Sequence, residues 1–278
     1  MTTKAKGNSV RQKLVDMSTK LGVAFPNLET AFLIERLVAR LVANSELRKV
    51  LVFKGGFVGL KIYDSPRYTI DLDALLLKAN VAPTLQLTKS AAEVDLGDGV
   101  WFRFESQIDL ATQGEYGGIR QVFRSGIGEV LKNLKKAQTL NFDLGIGDPV
   151  TPKPINAKTP SLLASEEMSW SVYPIETIVA EKLHALIAMG DANSRSKDIH
   201  DLAVFLPKAE KAILNEAVKK CFAFRKTDLP KSLVKAVKAI DMTMLQRGWP
   251  NAVASVPNAP KFQTALDQVI SQLEAFEK

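Results

Sequence analysis

Two aspartates, Asp71 and Asp73, are the residues best placed to do chemistry, in the run Thr69-Ile70-Asp71-Leu72-Asp73-Ala74-Leu75. Side chains alternate faces along a strand, so Ile70, Leu72 and Ala74 should share one face and Asp71, Asp73 and Leu75 the other. Two carboxylates spaced this way stand about 6.5–7 Å apart along the strand. Both can reach one small hard cation between them; without a cation they repel, and the pKa of at least one rises. Mg²⁺, or Mn²⁺ in its place, suits an oxygen-only pair because it works with substrate phosphates rather than in an all-protein cage. An acidic face on an edge strand is the alternative reading of the same pair.

The residues upstream add a phosphate-binding pattern. Residues 50–53 form a short apolar run that reads as a buried strand. Lys54-Gly55-Gly56 follows and opens a short helix over 57–63. Glycines there allow close approach to the backbone, and free N–H groups at a helix N-terminus suit phosphate. A strand, Gly-Gly, a helix, then a second strand carrying Asp-x-Asp is the general plan of the polymerase-β-like nucleotidyltransferases, in which the glycine turn holds the triphosphate and the aspartates hold metal. That plan wants a third carboxylate on a neighbouring strand. Asp143, in Leu140-Asn141-Phe142-Asp143-Leu144-Gly145, is placed for it, with Phe142 and Leu144 turned to the core. An ordinary strand-end aspartate is the other reading.

A lysine follows in the second half. Over 174–189, with Pro174 in the first turn, Ile175, Ile178, Val179, Leu183 and Leu186 form one helical stripe, and Lys182 falls near its middle. Such a lysine must snorkel, pair with a carboxylate or meet an anionic ligand. His184 falls on the opposite side and is expected to face solvent. In the next helix, 196–206, Ile199, Leu202 and Leu206 define the buried side; Arg195 lies close to it, Asp198 flanks it and Asp201 lies further away. Asp198 can orient Lys182 or a metal-bound water, or it is only a favourable charge in a first turn capped by Ser196. His200 is expected to be exposed, and Cys221, among Phe222 and Phe224, to be a small core hydrophobe.

These residues need positioning elements, and the composition supports them. The chain has 278 residues, 46% hydrophobic and 24% charged, enough for one large domain or two ordinary ones with a sizeable core. No apolar stretch is long enough for a membrane span, and the polar, basic start of the chain argues against a secretory signal. A single cysteine excludes an intramolecular disulfide or a Cys-rich zinc site and fits the cytoplasm; two histidines leave little for His-based metal chemistry. The net charge of +7 suits an anionic partner. Residues 202–240 hold nine bases against three acids in a helical stretch. Lys219, Lys220, Arg225 and Lys226 are its candidates for RNA-backbone contacts, against the alternative of a solvated helix face.

Further strands are expected at 69–77, 101–110, 119–123 and 139–146, after a helix over 27–46. Residues 148–160 hold four prolines and read as a linker or wrapped loop. Beyond it helices are expected at 174–189, 196–206, 208–222, 229–240 and 260–276. The fold class is therefore α+β, a mixed-sheet first half followed by a helical region, with domains over 1–160 and 161–278.

Four segments together resemble the AbiEii/AbiGii-type nucleotidyltransferase toxins. Phe53-Lys54-Gly55-Gly56 with Ser65-Pro66-Arg67-Tyr68-Thr69-Ile70-Asp71-Leu72-Asp73 is similar to their first motif, and Phe142-Asp143-Leu144-Gly145-Ile146-Gly147-Asp148-Pro149 to the second. Tyr173-Pro174-Ile175-Glu176 through Ala180-Glu181-Lys182-Leu183-His184-Ala185-Leu186 resembles the third, and Asn193-Ser194-Arg195-Ser196-Lys197-Asp198-Ile199-His200-Asp201-Leu202 the fourth. The resemblance implies a polymerase-β-like core over 1–160 with N-terminal helices, and a helical domain over 161–278 that completes the active site. It implies a nucleoside triphosphate donor, a divalent metal and a neutralising antitoxin. By position, Asp71 and Asp73 bind metal, Lys182 and Asp198 complete the active site, Lys54, Gly55 and Gly56 sit at the triphosphate, and Arg67 contacts phosphate. Gly-Gly stands where many nucleotidyltransferases have Gly-Ser, which removes a hydroxyl from the phosphate loop.

The expected reaction is in-line attack by an RNA hydroxyl, at a tRNA 3′ end, on the α-phosphate of the triphosphate. Asp143 is then a third metal ligand or takes the proton from the attacking hydroxyl, and Lys182 and Arg67 neutralise the triphosphate. Two other readings stand beside it: nucleotide or phosphate transfer to a protein side chain, and a binding-only antitoxin-like module.

Overall fold

Leu51, Val52 and Phe53 are almost wholly buried and lie in an inner strand of the first of two units. The computed structural model describes residues 2–77, 80–110, 118–163 and 166–278. The first unit comprises Met1–Ile62, Tyr68–Gly147 and Asn156–Val172; the second comprises Tyr63–Arg67, Asp148–Ile155 and Tyr173–Lys278.

In chain order the first unit contains α1 (Thr3–Leu21), α2 (Phe25–Ala43), α3 (Ser45–Val50), β1 (Leu51–Lys54), α4 (Gly55–Ile62), β2 (Asp71–Leu76), α5 (Val81–Ala92), β3 (Val100–Leu110), β4 (Gly118–Ile127), β5 (Gln138–Ile146), β6 (Ile155–Pro160) and β7 (Glu167–Val172). The strands form one mixed sheet in the order β3-β4-β5-β2-β1-β7-β6. The pairs β1–β2, β3–β4 and β4–β5 are antiparallel, whereas β2–β5 and β1–β7 are parallel. This is the α+β architecture expected from the sequence. Local chemistry sets the element ends. Gly22 takes φ +65° to stop α1, and the Asn44 side chain accepts the Glu46 and Leu47 N–H groups to start α3.

The sheet extends past the expected boundary at residue 160. The stretch 148–160 is only partly a loop, because β6 and β7 join the sheet beyond β1. Alternation buries Met168, Trp170 and Val172 of β7, and Trp170 packs on Phe53 and Phe57. Two buried charges tie helices to this sheet. Glu35 of α2 accepts from Lys61 of α4, the Ser161 hydroxyl and the Leu162 N–H. Arg40 of α2, only 2% exposed, forks onto Asp98 and donates to the Val94 and Val100 carbonyls.

The second unit contains α6 (Ile175–Met189), α7 (Ser196–Phe205), α8 (Lys211–Phe224), α9 (Leu233–Lys238), α10 (Thr243–Ala252) and α11 (Phe262–Glu277). Helix α6 packs against α7, α8 and α9, and α7 also against α10 and α11. Gly248 of α10 lets that helix touch α7: a Cβ there would lie 2.4 Å from the Ser196 hydroxyl, which donates to the Leu245 carbonyl. Cys221 is buried, as expected. Among the described residues no helix is long and apolar enough to cross a membrane.

Removing the Arg40 guanidinium strips Asp98 of its two-point fork, leaving Arg36 as the side-chain cation on it, and takes the side-chain donor from the Val94 and Val100 carbonyls. Arg40→Ala is expected to lower the unfolding free energy by about 3 kcal/mol, read by urea titration; an unchanged midpoint would show that water replaces the arginine without loss.

Candidate active site

The first-unit site is a row of charges across four strands. Asp73 of β2 pairs with Asp143 of β5, Asp143 with Arg120 of β4, and Asp73 with Lys54 of β1. Directly paired residues share a sheet face, so Arg120, Asp143, Asp73 and Lys54 stand in one line. Asp71, two residues before Asp73, joins the same face, and its Oδ1 accepts a hydrogen bond from Asn141 at 3.1 Å. The other face is apolar: Leu72, Ala74, Phe142 and Leu144 are all buried. Ile70, expected on that core face, is 71% exposed because the strand begins only at Asp71. Leu75, expected beside the aspartates, is fully buried because the end of β2 is covered on both faces.

Gly55 is the first residue of α4 and has φ +74°. A Cβ built on it would lie 2.0 Å from Asp73 Oδ2 and 2.7 Å from Cγ. Glycine is thus required twice, for its backbone conformation and for the carboxylate against it. It also sets Asp73 at a helix start, where negative charge is favoured. Gly56 continues as the second residue of α4.

Arg120 was not foreseen from the sequence. Its Nε and Nη2 donate to Asp143 Oδ1 and Oδ2, each at 2.7 Å. This hydrogen-bonded fork, reinforced by the charges of Asp71 and Asp73, holds the arginine's pKa above its usual value. The donor set of Asp71, Asp73 and Asp143 is all carboxylate oxygen, which fits a hard divalent cation such as Mg²⁺. Asp71 and Asp73 are disposed for one on the same face, while both Asp143 oxygens carry Arg120. Among the described residues no three His, Cys, Asp or Glu side chains form a ready metal cluster.

The second unit holds a separate, buried charge network. Lys182 Nζ of α6 lies 2.7 Å from Asp198 Oδ1 and 2.7 Å from Asp201 Oδ2 of α7. Asp201 also receives both arms of the Arg67 fork, at 2.9 and 2.8 Å, and Asp198 receives Arg195 Nε at 2.6 Å. Burial opposes the Lys182 charge, but Asp198 and Asp201 outweigh it and hold the lysine's pKa above its usual value. Burial likewise opposes the two carboxylates, and their cations outweigh it: Asp198 is held low by Lys182 and Arg195, Asp201 well below the carboxylate range by Lys182 and Arg67. Arg67, expected at phosphate, therefore has its guanidinium on Asp201. Asp201, placed by the sequence far from the buried side, is 1% exposed. Its three-residue offset from Asp198, which stacks the two on one helix face, was the signal for it.

Both histidines correct the expectation of exposure. His200 is 3% exposed, its Nδ1 3.3 Å from Asp201 Oδ1 and its ring beside Trp249. His184 is 4% exposed and packs edge-on against Phe222. The stripe argument failed because α6 is covered on several sides by other helices. Arg225 donates to His184 Nδ1 at 3.2 Å, and the Thr227 hydroxyl, which donates to the Arg225 carbonyl, lies 2.9 Å from Nε2. A neutral ring protonated on Nε2 satisfies every one of these bonds. Burial, then the Arg225 charge, push the His184 pKa down to about 4. Arg225 also reaches Asp148 at 3.4 Å and Glu181 at 3.8 Å, so this expected RNA contact is drawn inward. Lys219, Lys220 and Lys226 are exposed, and Lys220 pairs with Glu216.

A family model described as "Nucleotidyl transferase AbiEii toxin, Type IV TA system" matches residues 36–268. The chain belongs to the AbiEii family. It is a nucleotidyltransferase of this type IV toxin–antitoxin family, as the four motifs had implied. Two solved structures from Helicobacter pylori are similar. One is the crystal structure of JHP933, 16% identical over 91% of this chain and 93% of that one, with a TM-score of 0.51. The other is described as a candidate nucleotidyltransferase, 16% identical over 91% of this chain and 96% of that one, with a TM-score of 0.52. At such identity the likeness shows the fold alone. No curated protein matches the chain.

Two predictions follow from the geometry of this AbiEii-family site. Gly55→Ala is expected to displace Asp73, lower stability by about 1–3 kcal/mol and reduce nucleotide transfer; an unchanged melting curve with full transfer would show that Asp73 moves aside freely. The second concerns acid. His184 has a folded pKa near 4 against an ordinary 6.5, so the unfolded chain binds its proton first as pH falls. The stability His184 contributes is complete above pH 6.5 and is lost towards about 4. The melting temperature should drop through that window, and less steeply in His184→Gln; equal slopes would remove His184 from the account.

Proposed function

We propose that this AbiEii-family chain carries out Mg²⁺-dependent transfer of nucleotides from a nucleoside triphosphate to the 3′ end of RNA, with the tRNA acceptor end as its target. We propose further that it acts in the cytoplasm and that an antitoxin protein neutralises it. One observation carries the metal and triphosphate half of this reading. Asp71 and Asp73 share one face of β2, with Gly55 opening a helix directly against the second carboxylate.

A bound divalent cation supplies charge stabilisation and a template for an in-line displacement at phosphorus. Asp71 and Asp73 hold it, and the helix start at Gly55-Gly56 offers free N–H groups to the triphosphate. The attacking RNA oxygen bonds to the α-phosphorus as the bond to the bridging oxygen breaks. Pyrophosphate leaves, and a carboxylate of the row takes the hydroxyl proton. Lys182 and Asp198 enter this proposal on their motif, and Lys219, Lys220 and Lys226 as exposed cations suited to an RNA backbone.

The test incubates the protein with each labelled nucleoside triphosphate, total tRNA and total protein, with Mg²⁺ or with chelator. Label is expected in the tRNA fraction and only with Mg²⁺. Asp71→Asn and Asp73→Asn should each reduce transfer to background and relieve growth arrest. Label in protein instead of RNA would move the acceptor, and transfer that survives either substitution would refute the metal pair.

A further inference from the structure

We propose that Arg120 is a built-in counter-ion that competes with the divalent cation for Asp143 and, when displaced by it, becomes a contact for the incoming triphosphate. The inference rests on the metal-pair reading above and adds a residue that no sequence motif pointed to.

Three carboxylates crowd one sheet face: Asp71 and Asp73 on β2, and Asp143 directly beside Asp73 on β5. Like charges set side by side on one sheet face repel, and a cation beside them offsets that repulsion. Arg120 does so for Asp143 by a two-point fork, both arms at 2.7 Å. The fork occupies the two oxygens through which Asp143 would ligate a metal. It is the niche of a cation, filled by the protein's own side chain.

The pair is made to exchange. The Arg120 side chain is 32% exposed and that of Asp143 19%, so neither is locked into the core. Partly exposed ion pairs are weak, so a divalent ion held by Asp71 and Asp73 has only a modest attraction to overcome in taking an oxygen of Asp143 from the guanidinium. An arginine displaced from a carboxylate still requires an anion, and guanidinium suits phosphate as well as it suits carboxylate. The triphosphate that arrives with the metal supplies one. The exchange therefore has opposite effects on the two ligands: Arg120 opposes the metal alone and favours the metal–triphosphate complex.

Titration calorimetry with Mn²⁺ in the absence of nucleotide, and with a non-hydrolysable nucleoside triphosphate in Mg²⁺, reads both. Arg120→Gln is expected to bind Mn²⁺ alone about fivefold more tightly, the equivalent of a partly exposed ion pair. It should bind the Mg²⁺–triphosphate about tenfold more weakly, the loss of one charge-assisted contact. Arg120→Lys keeps the charge without the fork and should fall between. In an Asp143→Asn background the gain in Mn²⁺ affinity should vanish, because there is no carboxylate left to release. An unchanged or weaker Mn²⁺ affinity in Arg120→Gln overturns the inference. So does a gain that persists in the Asp143→Asn background, which would be simple repulsion between cations. Asp71→Asn separates the two readings. If it binds Mn²⁺ like the parent, the metal pair itself is wrong. If it loses Mn²⁺ while Arg120→Gln gains nothing, only the counter-ion role falls.

Discussion

The repulsion between Asp73 and Asp143, side by side on one sheet face, is the constraint to which the charged face of the sheet answers. Their adjacency is imposed from behind. Leu72 and Ala74 of β2, and Phe142 and Leu144 of β5, are buried on the far face and paired in register. A slip of one residue would turn every one of these side chains to the wrong side. The core thus fixes the register, and the register forces two carboxylates together with a third two residues away. The row answers with a cation at each end, Arg120 beside Asp143 and Lys54 opposite Asp73. Gly55 completes it by leaving room for the Asp73 carboxylate at a helix start.

What the sequence revealed of this site was its local part. The strand-glycine-helix-strand order of β1, α4 and β2 rests on a period-two pattern and one glycine bend, both readable between Leu51 and Leu76. Asp143 was readable because Phe142 and Leu144 alternate around it. Arg120 was not, since its meaning lies in the pairing of β4 with β5, which no local pattern states. The same limit hid Asp201, whose partners Lys182 and Arg67 come from elsewhere in the chain. His184 and His200 misled because a helical stripe identifies one buried side, whereas α6 and α7 are each packed by several neighbours.

Elements were missed where the usual signals were absent or contradictory. In α1 only Gly7 and Leu14 are buried, so no apolar stripe exists to read. Helix α5 buries Thr84, Leu85, Thr88, Ala91 and Ala92, a face too small and polar to stand out. Helix α10 contains Gly248 and Pro250, both helix breakers by propensity, yet Gly248 is what allows its contact with Ser196. Strand β6 exposes most of its residues and ends at Pro160, which is how an edge strand comes to look like a proline-rich linker.

The buried network of the second unit calls for a different explanation from the row on β2. Lys182, Arg67 and Arg195 surround Asp198 and Asp201, both almost completely buried. Stability does not account for such a cluster, because well-packed apolar residues generally serve as well or better than buried ion pairs. What ions provide and apolar groups do not is direction. The Arg67 fork accepts one orientation of Asp201, and Asp201 and Asp198 together hold the Lys182 ammonium between them. Removing either carboxylate would leave a buried cation under-compensated, so the three segments that contribute, 63–67, α6 and α7, are fixed relative to one another by charge geometry as well as by packing. The charged face of β2 and β5 has the opposite character. Its carboxylates are half-buried and partly solvated, and in the proposed role three side chains would supply only some of the six near-octahedral oxygens that Mg²⁺ demands. On the proposed reading the remaining positions would go to water and phosphate, and metal affinity and triphosphate affinity would then be thermodynamically linked, each raising the other by the same factor.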